Sequence, residues 1–310
     1  MSLAHALVPG YRPQLPAGPP YPCAELGAWV GLPFTLPPGD DRLPALHAGG
    51  PASSPPLDNL VGAVRAWREH PEWMDFLDPA APNHQAKVLE RALYEHIWGA
   101  FQPAPGRALD LGGGIGRFTQ PLVYAGWDVD LVDPDLRALR RALAHCVGAP
   151  GRLDLHWSTG ERLPELRGYD LAIAAEVLCY AEDPAAIVAA LHERLRPGGV
   201  LFCSVEARWG WAMSPDVAPG TLPALLAGAP VHVPGDRFVR TFEAEELRLL
   251  LQPFELLALV PTHYVSSGPF ELSAGELNLT ELISYEQALR AHPQTAALHR
   301  AWTAVARRKM

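Results

Sequence analysis

A strand that stops at three consecutive glycines and restarts as a helix constrains this chain more than any other feature. It is written Arg107-Ala-Leu-Asp-Leu-Gly-Gly-Gly-Ile-Gly-Arg-Phe-Thr119. Ala108 to Leu111 reads as the end of a buried strand. The glycines then allow a turn with positive φ, and Arg117 to Tyr124 puts Phe118, Leu122 and Val123 at helical spacing. A helix N-terminus approached over residues that lack a Cβ is a generic seat for a nucleotide-like ligand. Two common versions of that seat fail on spacing. The dinucleotide fingerprint G-x-G-x-x-G ends on Arg117 when started at Gly112 and on Thr119 when started at Gly114. A phosphate-gripping Gly-Lys-[Ser/Thr] is absent too, since no lysine lies between Lys87 and Lys309.

The spacing that does fit is Asp110-x-Gly112-x-Gly114-x-Gly116. The next strand, Trp127 to Val132, alternates and is β-branched, and it ends in Asp133-Pro134. An acid at that tip can reach two ribose hydroxyls of a ligand seated on the first turn. Together these residues resemble motif I of the class I S-adenosylmethionine (SAM) dependent methyltransferases. Tyr169 to Pro184 and Leu195-Arg-Pro-Gly-Gly-Val-Leu201 look like motifs IV and V of the small-molecule members. The resemblance is close over residues 85–206 and looser over 238–310. It implies an α/β fold: a doubly wound, mostly parallel seven-stranded sheet with SAM as cofactor. By the same resemblance Gly112, Gly114 and Gly116, with Asp110 before them, serve the methionine and ribose parts. Asp133 takes the ribose hydroxyls, and Gly160-Glu161 stands where the family usually has Gly-Asp near the adenine. Glu176 would lie near the methionine moiety.

The rest of the chain arranges itself around that core. Residues 1–57 hold 13 of the 33 prolines, yet Tyr21, Leu26, Trp29, Val30, Leu32 and Phe34 are too apolar for a solvated tail. They predict an irregular arm packed on the core or on a second subunit, which makes a homodimer possible. Residues 58–104 predict a helical cap: Asp58 as N-cap of one helix, then His84 to Trp98 as an amphipathic one. His84 and His96 read as packing residues. Residues 105–206 form the SAM-binding core and 207–240 a substrate-region insert. Residues 241–310 complete the sheet, with Thr241 as an N-cap and Ala301 to Arg307 as an antiparallel closing strand.

Composition sets the outer bounds. With 34 acids against 25 bases the formal charge is −9, which disfavours nucleic-acid binding through phosphates. The four cysteines form no C-x-x-C pair, so no metal site and no disulfide framework is expected. There is no apolar run long enough for a membrane span and no secretory signal, so a cytoplasmic protein acting on a small molecule is expected. Glu176-Val-Leu-Cys-Tyr180 departs from the Pro-Pro-aromatic motif of the nucleic-acid amino methyltransferases. It also has Tyr180 where many relatives have histidine. Tyr180 and His263 are the candidate catalytic residues, with His263 as general base. Arg208, Trp209, Trp211 and Tyr264 are expected to wall the acceptor pocket beyond two strand ends. Two other readings stay open on sequence alone: a SAM-using enzyme that performs a different displacement, and a catalytically silent SAM-fold subunit that holds a partner.

Overall fold

The computed structural model describes residues 46–48, 66–67, 70–163, 165–213, 220–233, 236–266 and 277–310. The apolar arm residues Tyr21 to Phe34, the subunit contact expected of them and the Asp58 cap lie outside these. The first described elements are a short strand β1 (Leu46–Ala48) and the cap helices α1 (Pro71–Met74) and α2 (His84–Trp98). Strands and helices then alternate through β2 (Arg107–Leu111), α3 (Thr119–Tyr124), β3 (Asp128–Asp133), α4 (Leu136–His145) and β4 (Leu153–Trp157). They continue with β5 (Tyr169–Ala175), α5 (Pro184–Arg194) and β6 (Leu195–Glu206). The insert holds α6 (Arg208–Ala212), α7 (Leu222–Leu226) and a hairpin, β7 (Val231–Val233) with β8 (Asp236–Val239). The chain ends with α8 (Ala244–Leu250), β9 (Phe254–Thr262), α9 (Leu279–Ala291) and β10 (Ala301–Arg308).

The main sheet runs β1-β4-β3-β2-β5-β6-β10-β9. It is parallel apart from β10, which inserts antiparallel between β6 and β9. Seven of these strands are the expected ones. The eighth, β1, comes from the proline-rich arm and adds to the far edge, with Leu46 opposite Leu155. Both faces of the sheet are covered, so successive residues of one strand enter different cores. Ala108, Val129 and Leu131 pack with Trp98, Phe118 and Trp127 on one face, and Leu109, Leu111 and Val132 pack with Ile187 and Leu191 on the other.

Two helix starts differ from the sequence expectation. The helix after the glycine turn begins at Thr119, not Arg117, because Gly116 (φ 93) carries the chain through one more turn. The helix expected to be capped by Thr241 is capped by Glu243, in a box with Glu246. Phe242 bridges to Ala207 and donates its N–H to Glu206, which keeps residues 241–242 extended.

A buried polar node ties four strands together. Asp130 on β3 accepts from Tyr169 Oη at 3.0 Å and from Arg107 Nη2 at 3.3 Å, and lies 2.7 Å from His156 Nε2. Removing the carboxylate leaves buried polar groups of His156 and Tyr169 without that partner. Asp130→Ala is expected to lose about 2–5 kcal/mol of unfolding free energy. Chemical denaturation measures this; a loss under about 1 kcal/mol would show that the node does not hold the sheet.

Candidate active site

The donor side is built by the turn after β2. Gly112, Gly114 and Gly116 all have positive φ, of 66°, 55° and 93°. Their surroundings separate them. A Cβ on Gly112 would run into the Val177 side chain, and one on Gly116 would press on Ala142 at 3.3 Å. A Cβ on Gly114 would meet nothing within 4 Å. Gly114 is therefore the glycine that faces open space, while the other two let neighbouring elements approach. Asp133, at the end of β3, accepts the Gly114 N–H at 2.9 Å and the Asp135 N–H at 2.7 Å. Burial pushes its carboxyl up to about 6, against the pull of those two N–H groups. Each oxygen keeps a lone pair for a further donor. Asp110 is placed differently: it is buried, and its carboxylate accepts the Thr119 hydroxyl at 2.6 Å, pinning the turn to α3. Gly160 opens a single 3₁₀ turn, and Glu161 accepts the Glu182 N–H at 3.3 Å. Trp67 closes the far side, donating to Asp135 at 3.0 Å and packing on Ile115 and Ala138.

A second polar cluster is assembled around Arg117 from α2, the end of β5 and the segment after β9. Its buried guanidinium donates to Glu90 of α2 at 3.1 Å and to Glu176, at the end of β5, at 3.2 Å. Lys87 also reaches Glu90, at 2.7 Å, and Tyr94 Oη donates to Glu176 at 2.8 Å. Burial works to raise the carboxyl of Glu176, but Arg117, Lys87, His263 and the Tyr94 hydroxyl together hold it down at about 2. Glu90 is likewise lowered against its burial, chiefly by Lys87. His263 stands against this group, its ring 4.7 Å from that of Tyr94 and inclined at 61°. Its Nδ1 lies 2.6 Å from Ser266 Oγ, and its buried Nε2 has no partner among the described residues. Burial lowers its pKa, so the imidazole stays neutral at physiological pH. Glu176 and His263 are the two non-glycine residues with positive φ among those described, at 58° and 62°.

Three of the four expected pocket walls are corrected. Arg208 (7% exposed) pairs with Glu243 at 2.9 Å and Glu246 at 2.6 Å, clamping the start of α8. Trp211 (2%) is core, packed with Leu225 and Val231. Tyr264 is fully buried and donates to the Ala296 carbonyl at 2.7 Å. Helical geometry explains the first pair of side chains. Residues 208–212 form a turn of helix, which sends 208 and 211 inward and leaves Trp209 (40% exposed) outside. Tyr180 is half-buried and lies close enough to Arg300 to favour its charged form. Glu90, Tyr94 and Arg117 were not anticipated. The available signal was a stripe Lys87, Glu90, Tyr94 at helical spacing within an otherwise apolar face, and a lone arginine between Gly116 and Phe118.

A family model described as "Methyltransferase domain" matches residues 82–256, more than half of the chain. The chain belongs to this family. The cofactor of the family is S-adenosylmethionine. Among curated relatives, a ubiquinone biosynthesis O-methyltransferase of Xanthomonas axonopodis pv. citri is 28% identical over 138 residues, 44% of this chain and 56% of that protein. Its counterpart from Ruegeria pomeroyi is 32% identical over 150 residues, 47% and 60% of the two chains. The chain thus spans under two thirds of the length of these relatives. Among solved structures, an S-adenosylmethionine dependent methyltransferase from Mesorhizobium loti superposes with TM-score 0.53 at 20% identity, covering 71% of this chain and 100% of that one. Magnesium protoporphyrin IX methyltransferase from Synechocystis PCC 6803 with bound SAH gives 0.53 at 16%, covering 81% and 100%. At these identities the structural likeness establishes the fold alone. Among the described residues no helix is long and apolar enough to cross a membrane, and no group of His, Cys, Asp and Glu could hold a metal ion.

The Arg117 node yields a direct test within this family member. Breaking a buried ion pair from one side strands the charge left behind. Arg117→Met leaves Glu90 and Glu176 facing each other without their shared cation. It should lower stability by about 3–5 kcal/mol at neutral pH and by less in acid, once the pH falls toward the lowered values of the two carboxyls. Thermal melts from pH 3 to 8 test this; the same loss across that range would show that the charges are not what the arginine stabilises.

Proposed function

We propose that this protein transfers a methyl group from SAM to a hydroxyl oxygen on a small aromatic acceptor. The observation that carries the proposal is His263: a neutral, buried imidazole whose Nε2 has no partner among the described residues, beside a group of donors and acceptors at the carboxyl ends of β5 and β9. When bound, SAM supplies a methyl group on a positively charged sulfur. Gly114 offers open backbone for it, and Asp133 offers two carboxylate oxygens for the ribose hydroxyls. Gly112 and Gly116 shape that turn, and Asp110 fixes it to α3. Gly160 and Glu161 flank the adenine side. Glu176 faces the donor's amino-acid end from its strained position on β5. Tyr180 and Trp209 border the acceptor entrance. The curated relatives are named as O-methyltransferases, which agrees with a histidine base.

The protein's share of the chemistry is to hold and deprotonate the acceptor. With Nδ1–H donated to Ser266 Oγ, the lone pair sits on Nε2, which takes the acceptor's hydroxyl proton. A histidine whose pKa is lowered is a weak base. It suits an acidic hydroxyl such as a phenol better than an aliphatic alcohol. Tyr94, itself fully buried, packs edge-on against the imidazole and fixes its plane.

Catechol tests the class. Incubation with SAM should yield S-adenosylhomocysteine and 2-methoxyphenol, read by mass spectrometry. Turnover of amines with none of catechol, phenol or substituted phenols would overturn the oxygen assignment. His263→Ala should lower kcat by roughly 10²–10⁴-fold with SAM affinity kept, since that is the usual contribution of a positioned base. Wild-type kcat in that variant would remove His263 from the mechanism.

SAM binding has its own dependence on pH. The donor is held by ionised Asp133, whose carboxyl is raised to about 6, so affinity should be full above pH 7 and fall as pH drops through 6. Asp133→Asn should cost about 1.5–3 kcal/mol, roughly ten- to a hundredfold in Kd, and should flatten the pH dependence. Calorimetric titration at pH 5.5, 6.5 and 7.5 measures both; an unchanged Kd in the variant would rule out the ribose contact.

A further inference from the structure

His263 has a backbone conformation that residues with a side chain rarely adopt, φ 62, so its neighbours must hold it there. The chain leaving β9 turns sharply at this point. The next two N–H groups, of Tyr264 and Val265, both donate to one oxygen of Glu286, at 2.8 and 2.9 Å. Glu286 is fully buried on α9, an element whose own start is fixed by the Asn278–Glu281 capping box. From the opposite side the Arg300 N–H donates to the His263 carbonyl at 3.0 Å. The turn is therefore gripped from both ends, and the imidazole is gripped separately by Ser266 and Tyr94.

Satisfying two N–H groups does not require a charge. A buried amide or hydroxyl would do so with a smaller desolvation cost. A carboxylate gives shorter and stronger bonds than a neutral acceptor. That matters where proton transfer depends on placement within a few tenths of an ångström. We propose that Glu286 is the positioning residue for His263: its carboxylate serves the reaction only through the turn it holds. This rests on His263 being the base proposed above.

The second oxygen of Glu286, Oε2, has no partner among the described residues. The side chain borders a cavity of about 200 Å³ lined by Leu93, Ile97, Val260 and Ile283. Glu286→Gln can therefore present its amide oxygen to both N–H groups and turn its NH₂ toward that space. Glu286→Asp withdraws the carboxylate by one methylene.

The test measures kcat with catechol, and the SAM Kd, for Glu286→Asp and Glu286→Gln, each alone and combined with His263→Ala. Glu286→Asp should lose about 10²-fold in kcat, the scale of a 1 Å misplacement. Glu286→Gln should lose less than about tenfold. Neither should change the SAM Kd. In the His263→Ala background both losses should vanish, because nothing is left to position. Equal losses in both backgrounds would mean a general structural role and would overturn the proposal, as would wild-type kcat in Glu286→Asp. If Glu286→Asp does not fold, Glu286→Met, which removes the acceptor of both N–H groups at similar volume, decides by the same comparison. Wild-type kcat in His263→Ala alone would instead remove the base itself, and Glu286's role with it.

Discussion

The shared ion pair of Arg117 is the constraint on which the rest of the site depends. Its guanidinium is buried between two carboxylates that belong to different parts of the fold, Glu90 on the cap helix and Glu176 at the end of β5. Arg117 itself follows the last glycine of the donor turn. Three elements therefore share one charge balance, and none can move far without exposing or stranding a charge. Removing such groups from water costs several kcal/mol each, and the cost is offset only while the geometry holds. The cap is thus more than a cover: its α2 supplies half of the counter-charge that keeps the donor turn and the β5 end in register.

Strain is concentrated in the same place. Glu176 and His263 are the described non-glycine residues with left-handed φ, and each stands at the carboxyl end of a sheet strand. Each has dedicated support. The Glu176 N–H donates to both the carbonyl and the hydroxyl of Ser204 on β6, each at 3.0 Å. His263 is held through Glu286 and Arg300. Conformations of this kind cost about 1–3 kcal/mol and persist where the surroundings over-determine them. Both stand beside the Arg117 node, at the same end of the sheet, which is the end where the reaction is proposed.

The half of the candidate site proposed to take the donor was legible in the sequence because it is local. Asp110 to Gly116 and Asp133 lie within one β-turn-α-β stretch, where spacing alone dictates what faces what. The acceptor half was not, since Glu90, Arg117, Glu176 and His263 meet only after the chain has crossed the sheet repeatedly. The two tryptophans after β6 misled for a related reason. Arg208-Trp-Gly-Trp211 was expected to present both rings, but a turn of helix separates them, and Gly210 lies so close to the His299 carbonyl that a Cβ would not fit. The sheet itself was predictable nearly strand by strand. The exception, β1, has an edge position set by pairing with β4 rather than by any pattern of its own.

The two halves also differ in how charge is treated. Around Arg117, Glu90 and Glu176 each have a cation beside them, and both are driven toward ionisation. On the donor side Asp110, Asp133 and Asp135 cluster without one close enough to prevent their pKa values rising to about 7, 6 and 7. N–H and O–H donors, the start of α4 and, at Asp110, the charge of Arg117 stabilise them without offsetting their burial. Such a cluster is costly in the free protein and gains most from a ligand that brings hydroxyl donors and positive charge. A ribose and a sulfonium supply both. The uncompensated carboxylates beside the glycine turn and the paired ones around Arg117 are complementary in the proposed reaction: the first would favour taking up the donor, and the second would keep the geometry in which an acceptor meets it.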